Sequence, residues 1–174
     1  HLDSAVSGYM RNREIPRHER ENDLKIAYLS QQQIKSFNMP YQLGYCNLQD
    51  GMGPWIGDTP QDADTAPIPV MPGAVIVLAT DGLFDNLDLD EVGEEVREWE
   101  RLWFPAEEGL DLGLYHEKGA MASQDLAQKL VRKAREFSLD TQRDSPFALL
   151  AKENDIMWGG GMPDDTTVVV MRAV

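Results

Sequence analysis

Cysteine occurs once in the 174 residues, at Cys46. That count excludes an intrachain disulfide and any zinc site built on cysteine pairs. A lone thiol also suits a reducing compartment. Histidine is scarce: His1, His18 and His116 all stand in polar segments, with no Ser or Cys spaced for a nucleophile–base pair. Positive charge is short as well, with 16 Lys and Arg against 30 Asp and Glu and a net charge of −14. A chain this acidic repels a nucleic-acid backbone and an anionic membrane surface alike. No apolar run is long enough to cross a bilayer as a helix. Internal repeats and long low-complexity tracts are missing. The glycine run at Gly159-Gly160-Gly161 has no Lys-Ser or Lys-Thr after it, which excludes a phosphate-binding loop of that type.

What remains is an ordinary globular composition, 42% hydrophobic and 26% charged, at a length that suits one domain. The charge is uneven. Residues 1–35 carry six basic and five acidic side chains, leaving 10 basic and 25 acidic for the rest. The mixed-sign stretch Arg11 to Asp23 reads as a connection facing water. The chain opens on His1-Leu2-Asp3 with neither an initiator Met nor a signal-peptide pattern, as expected if something was removed or if this is a piece of a longer chain.

Periodicity places the elements. Leu24 to Leu29 alternates and reads as a strand. Residues 47–69 are rich in Gly, Pro and Asp and read as a long irregular connection. After the turn Met71-Pro72-Gly73, the uninterrupted run Ala74 to Ala79 (AVIVLA) reads as a strand buried on both faces. Asp88 opens a helix with Glu91 three residues on, as in a capping box. Leu89, Val92, Val96, Trp99 and Leu102 recur at helical spacing until Pro105. Residues 105–122 read as loop. Ser123 is expected to cap a second helix with Leu126, Leu130, Val131, Ala134 and Phe137 on one face. A loop through Pro146 and the glycine run leads to a closing strand, Thr166 to Met171. The expected class is α+β: a mostly antiparallel sheet covered by helices on one face.

Two acidic positions share one geometry. Asp81 follows the buried strand directly and precedes Gly82, and Asp164 and Asp165 directly precede the closing strand. If the two strands are neighbours, these carboxylates meet at one end of the sheet, where they repel each other unless a cation intervenes. Hard oxygen ligands suit magnesium or manganese rather than zinc. The alternative is turn chemistry alone, because Asp-Gly and Pro-Asp-Asp are common turn sequences.

The segment Ala79-Thr80-Asp81-Gly82-Leu83-Phe84-Asp85-Asn86, together with Asp164-Asp165-Thr166-Thr167-Val168, resembles the metal-dependent protein phosphatases of type 2C. Three further segments are similar to the T-cell-activation group of that family, which includes mitochondrial and plastid phosphatases. They are Ser36 to Gly44 (SFNMPYQLG), Asp58 to Asp64 (DTPQDAD) and Ser145-Pro146-Phe147-Ala148. The resemblance implies part of a four-layer α-β-β-α sandwich, with residues 1–174 as the C-terminal portion of one domain. It implies that Asp81 and Asp164 are metal ligands. Asp165 stands where relatives often have Asn, and Gly82 completes the Asp-Gly pair. Asp3 matches the end of a Gly-Asp-Ser motif whose Gly is here Leu2, which makes it the third ligand the resemblance offers. The family's upstream Asp-Gly-x-x-Gly motif and its phosphate-binding Arg have no counterpart in the chain, so the resemblance implies an incomplete domain.

The implied activity is hydrolysis of phosphoserine and phosphothreonine in a phosphoprotein substrate. It would use two or more Mn2+ or Mg2+ ions and a water activated by them, with no phosphoenzyme. The alternative is a non-catalytic phosphatase-like module that binds a partner; an unrelated metal hydrolase would not account for the flanking segments. Mitochondrion or plastid follows from the resembled group, and a cytoplasmic setting remains open, as does the oligomeric state.

Overall fold

The computed structural model describes residues 5–11, 24–43, 57–105 and 112–173, of which 5–11 and 112–117 are described through their backbone alone. In chain order the described elements are β1 (Ala5–Arg11), β2 (Leu24–Leu29), β3 (Ile34–Ser36), β4 (Met39–Pro40), β5 (Val75–Ala79), α1 (Asp81–Phe84), α2 (Leu89–Trp103), α3 (Leu112–Ser138), α4 (Pro146–Glu153) and β6 (Val168–Arg172). Four strands form an antiparallel sheet in the order β2-β1-β5-β6, and β3 pairs with β4 in a separate hairpin. The class is α+β, as the sequence pattern implies.

Strand β5 is flanked on both edges, by β1 and by β6, so its N–H and C=O groups find partners on each side. Its side chains alternate. Val75, Val77 and Ala79 are fully buried on one face, together with Leu24 and Val170. Val92, Val96 and Trp99 of α2 and Ala122, Leu126, Leu130 and Ala134 of α3 share that core. Each fully buried Val or Leu there contributes about 1.5–3 kcal/mol relative to exposure. The other sheet face carries half-buried Ile76 and Leu78 beside exposed Val169 and Met171. The uninterrupted apolar run therefore reflects one face packed on helices and one face partly open. Within the described residues the chain forms one sheet and one helix layer of the expected sandwich.

Helix α2 begins as the sequence predicts. Asp88 accepts a hydrogen bond from the Glu91 N–H (2.8 Å), and Glu91 accepts one from the Asp88 N–H (3.0 Å). These bonds satisfy two of the donors that a helix N-terminus leaves unpaired. Arg143, from the turn after α3, pairs with the same Glu91 and lies over the Phe137 ring. Trp99 is fully buried and donates its indole N–H to Ala122 O (2.6 Å), which locks α2 onto α3. Leu102 departs from expectation. It extends the helical period but lies 67% exposed, because the core-facing stripe of α2 runs through Val92, Val96, Trp99 and Trp103 and Leu102 falls to one side of it.

Three sequence expectations are corrected. Residues 105–122 are not all loop: α3 starts at Leu112, runs 27 residues, and contains Ser123 in its interior rather than at its cap. Burial of Ala122 and of the Trp99 contact anchors that first half, a tertiary effect that no capping signal announces. The stretch around Pro146 is a helix, α4, whose N-cap is Ser145, with Pro146 in the first turn where its missing N–H costs nothing. Strands β1, β3 and β4 have short or glycine-interrupted patterns and were not anticipated. The two predicted strand ranges shift slightly, to 75–79 and 168–172.

The hairpin of β3 and β4 is braced by the segment that follows it. The Asp58 carboxylate pairs with Lys35 and accepts the Gln42 N–H, while Gln42 O accepts the Asp58 N–H (2.9 Å). Phe37 reaches α4, its ring 5.6 Å from that of Phe147, and Phe147 meets Trp158 edge-on at 5.6 Å. Cys46, His1 and His18 lie outside the described residues, and His116 falls on α3.

Candidate functional site

Strands β5 and β6 pair antiparallel, with Ala79 opposite Val168. The chain leaves β5 and enters β6 at the same end of the sheet. Asp81 and the pair Asp164–Asp165 are therefore neighbours in space although more than 80 residues separate them in sequence.

Local bonds shape the junction. Thr80 donates its backbone N–H to Thr167 O (3.1 Å) and its hydroxyl to Asp165 O (3.1 Å), and the same hydroxyl accepts the Thr167 N–H (3.0 Å). The chain then turns into the single-turn helix α1. Gly82 sits hard against the opposing segment: a Cβ added to it would fall 2.6 Å from Asp165 O and 2.8 Å from Thr166 Oγ1. Only glycine lets the two acid-bearing segments approach this closely. Gly82 donates its N–H to Asp81 Oδ1 (2.9 Å), and the Asp165 N–H donates to Asp164 Oδ1 (2.7 Å). Each aspartate is thus oriented by the amide that follows it.

Asn86 is fully buried and makes three bonds. Its Nδ2 donates to Gly82 O (3.0 Å) and to Met162 O (2.8 Å), and its Oδ1 accepts the Met162 N–H (2.8 Å). The glycine run is a packing device. Ser145 donates its hydroxyl to Gly160 O (2.7 Å) while capping α4, and the Gly161 N–H donates to Asp140 O (2.7 Å). Gly161 lies so close to the end of α3 that a Cβ would come within 2.1 Å of Phe137 O. Phe147 N–H donates to Asp85 O (3.1 Å), tying α4 to the end of α1. Asp85 is the C-cap of α1 rather than a residue of the acidic pair.

The electrostatics single out Asp81. Partial burial pushes its carboxyl above the ordinary carboxylate value, and the charge of Asp164 adds to the rise, while the hydrogen bond from Gly82 opposes it. Two like charges that sense each other across a strand end are stabilised by a cation between them. The donors are hard carboxylate oxygens, the set that suits Mg2+ or Mn2+. The residues present therefore fit a divalent ion. They supply a pair of acids rather than a complete cage: among the described residues no group of three or more His, Cys, Asp or Glu is placed to hold a metal. Asp165 is exposed beside Asp164, and Asp3 lies outside the described residues.

Sequence reasoning named the two acids and Gly82 but missed the work of Thr80 and Asn86. Both stand inside the segment that carried the resemblance. The available signal was an amide at Asn86, four residues past Gly82 and set between the buried leucines Leu83 and Leu87.

Comparison with known proteins gives the context. No family model matches the chain. The chain is 35% identical over 147 residues to the protein phosphatase PTC7 homolog fig of Drosophila ananassae, a match that spans 84% of this chain and 40% of that protein. It is 33% identical over 147 residues to the fig protein of Drosophila virilis and 35% over 147 residues to that of Drosophila mojavensis, covering 42% of each. The chain thus spans about two fifths of the curated relatives it matches. Among solved structures, the photosystem II phosphatase PBCP superposes with a TM-score of 0.60 at 24% identity, over 97% of this chain and 55% of that one, which shows a shared fold. Over 84% of its length the chain is thus homologous to protein phosphatases of the PPM family.

Proposed function

We propose that the chain carries the acidic, cation-holding strand end of a phosphatase acting on phosphoserine and phosphothreonine in proteins. The observation that carries this reading is the β5–β6 register, which brings Asp81 and Asp164 to one end of the sheet with their charges coupled. Asp81 and Asp164 would hold a divalent ion, Mn2+ or Mg2+, with Asp165 beside them and Asp3 as a further ligand. When bound, such ions lower the pKa of water and neutralise charge on a transferring phosphoryl group. The chain's own residues do the rest. Thr80, Gly82 and Asn86 hold the two acidic segments together, and the amides of Gly82 and Asp165 aim the carboxylates. Relatives bear the name protein phosphatase, which supports the same class of substrate. A mitochondrial or plastid setting goes with the resembled group.

A second reading is favoured by one observation: among the described residues no group of three or more His, Cys, Asp or Glu is placed to hold a metal. On that reading the chain is a phosphatase-like module that binds a partner without catalysis. Manganese-dependent phosphate release from a phosphothreonine peptide decides between them. The assay compares this chain and a version extended to the length of its relatives, each with and without Asp81→Asn. Activity in either form that is lost in Asp81→Asn supports the phosphatase. Absence of activity in both forms, at saturating Mn2+, overturns it in favour of the binding module.

A further inference from the structure

Asp164 is bracketed. Two residues before it, Met162 is held through both its N–H and its C=O by the Asn86 side chain; one residue after it, Asp165 is held through its C=O by the Thr80 hydroxyl. Both holding residues belong to the segment that carries Asp81. Thr80 immediately precedes it, and Asn86 is tied back to Gly82, which immediately follows it. The two clamps therefore fix one acid relative to the other from both sides, without touching either carboxylate.

The Asn86 amide suits this task. It lies fully buried, and only one orientation of its O and N satisfies two carbonyls and one N–H at once. An apolar replacement would leave three backbone groups without partners, and the loop 162–165 would lose its fixed distance from α1.

We propose that Asn86 and Thr80 are positioning residues that set the separation of Asp81 and Asp164, and so set the affinity of the pair for a divalent cation. The inference rests on the reading of those two aspartates as cation ligands.

The test uses the intact chain with Asn86→Ala, Thr80→Val and, as a control, Trp99→Phe, which removes a buried hydrogen bond on the far side of the core. Thr80→Val keeps the side-chain shape and covers the case in which Asn86→Ala does not fold. Mn2+ affinity is read from free Mn2+ by electron paramagnetic resonance, under conditions where circular dichroism shows each variant folded. Amide exchange is measured in parallel without metal. The clamp variants are expected to bind Mn2+ about tenfold more weakly, while Trp99→Phe binds as the parent does. In Asn86→Ala the Asp165 and Thr167 amides should exchange faster, although the Thr167 amide is bonded to Thr80 and not to Asn86. Equal Mn2+ affinity in all four proteins, whatever their thermal stability, overturns the proposal. If the parent itself binds no Mn2+, the ligand reading fails, and exchange alone decides the clamp. Faster exchange at Asp165 and Thr167 upholds it, and a change confined to Met162 overturns it.

Discussion

Replacing Gly82 with Ala sets two effects of known size against each other. Alanine is the better helix former by up to about 1 kcal/mol, and Gly82 lies within α1, so propensity alone favours the variant. The new methyl would stand 2.6 Å from Asp165 O and 2.8 Å from Thr166 Oγ1. Both distances are well inside van der Waals contact, and the nearer one is to backbone, which cannot swing away as a side-chain tip can. The segment 164–166 must therefore retreat, and its retreat is resisted by the Thr80–Asp165 and Thr80–Thr167 bonds. Overpacking of this kind costs about 1–3 kcal/mol. The propensity gain offsets up to about 1 kcal/mol of it, which centres the net loss on about 1 kcal/mol. For a chain of this size that corresponds to a melting temperature lower by about 2–4 °C. Asp164 moves away from Asp81 with the segment, so Mn2+ affinity falls as well. Thermal unfolding followed by circular dichroism and a Mn2+ titration on the folded variant check both parts. A Gly82→Ala protein that melts at or above the parent temperature would show that the close approach is not a constraint, and the account of this junction would be wrong.

Other expectations concern the frame and its pH response. Trp99→Ala should lose about 3–5 kcal/mol, because it empties the centre of the α2–α3 contact and removes the indole bond to Ala122 O; urea denaturation measures it. Asp88→Ala should cost about 1 kcal/mol by leaving the Glu91 N–H without its cap, with the midpoint shifted and the denaturant slope unchanged. The Lys35 ammonium and then the Gln42 N–H hold the Asp58 carboxyl below its usual value of 3.8. A carboxyl depressed on folding contributes stability that is complete above its unfolded value and is lost as pH falls through the lower folded one. The β3–β4 hairpin should therefore hold its Gln42 amide shift at pH 5 and lose it only below 3.8, and Asp58→Asn should abolish that transition.

Much of the site was legible from local pattern. A short apolar, β-branched run bounded by a turn reads as a strand, and an Asp-Gly directly after it stands at the strand's end. The Asp88–Glu91 capping box likewise announces α2, because both bonds form within four residues. Elements whose stability comes from distant partners were not legible in this way. The first half of α3 has weak boundary signals and is held by the burial of Ala122 and the Trp99 bond. Helix α4 looks like loop by its Pro146 until Ser145 is seen to cap it and bond Gly160. Leu102 shows the reverse failure: it stands three residues after Trp99, yet the core-facing stripe continues through Trp103 and leaves Leu102 exposed.

The sequence by itself determined the chemistry these residues offer: no disulfide among themselves, no zinc site built on cysteine pairs, a surplus of carboxylates, and two acids placed at strand ends by the apolar runs beside them. The fold decided which carboxylates meet. Hydrogen bonding of β5 to β6 is a pairing over more than 80 residues of separation, and no local propensity encodes it. The spacing of the two acids was also left to tertiary structure, because it depends on a missing Cβ at Gly82, a hydroxyl at Thr80 and a buried amide at Asn86. Each of these acts on backbone atoms that only the assembled sheet brings within reach.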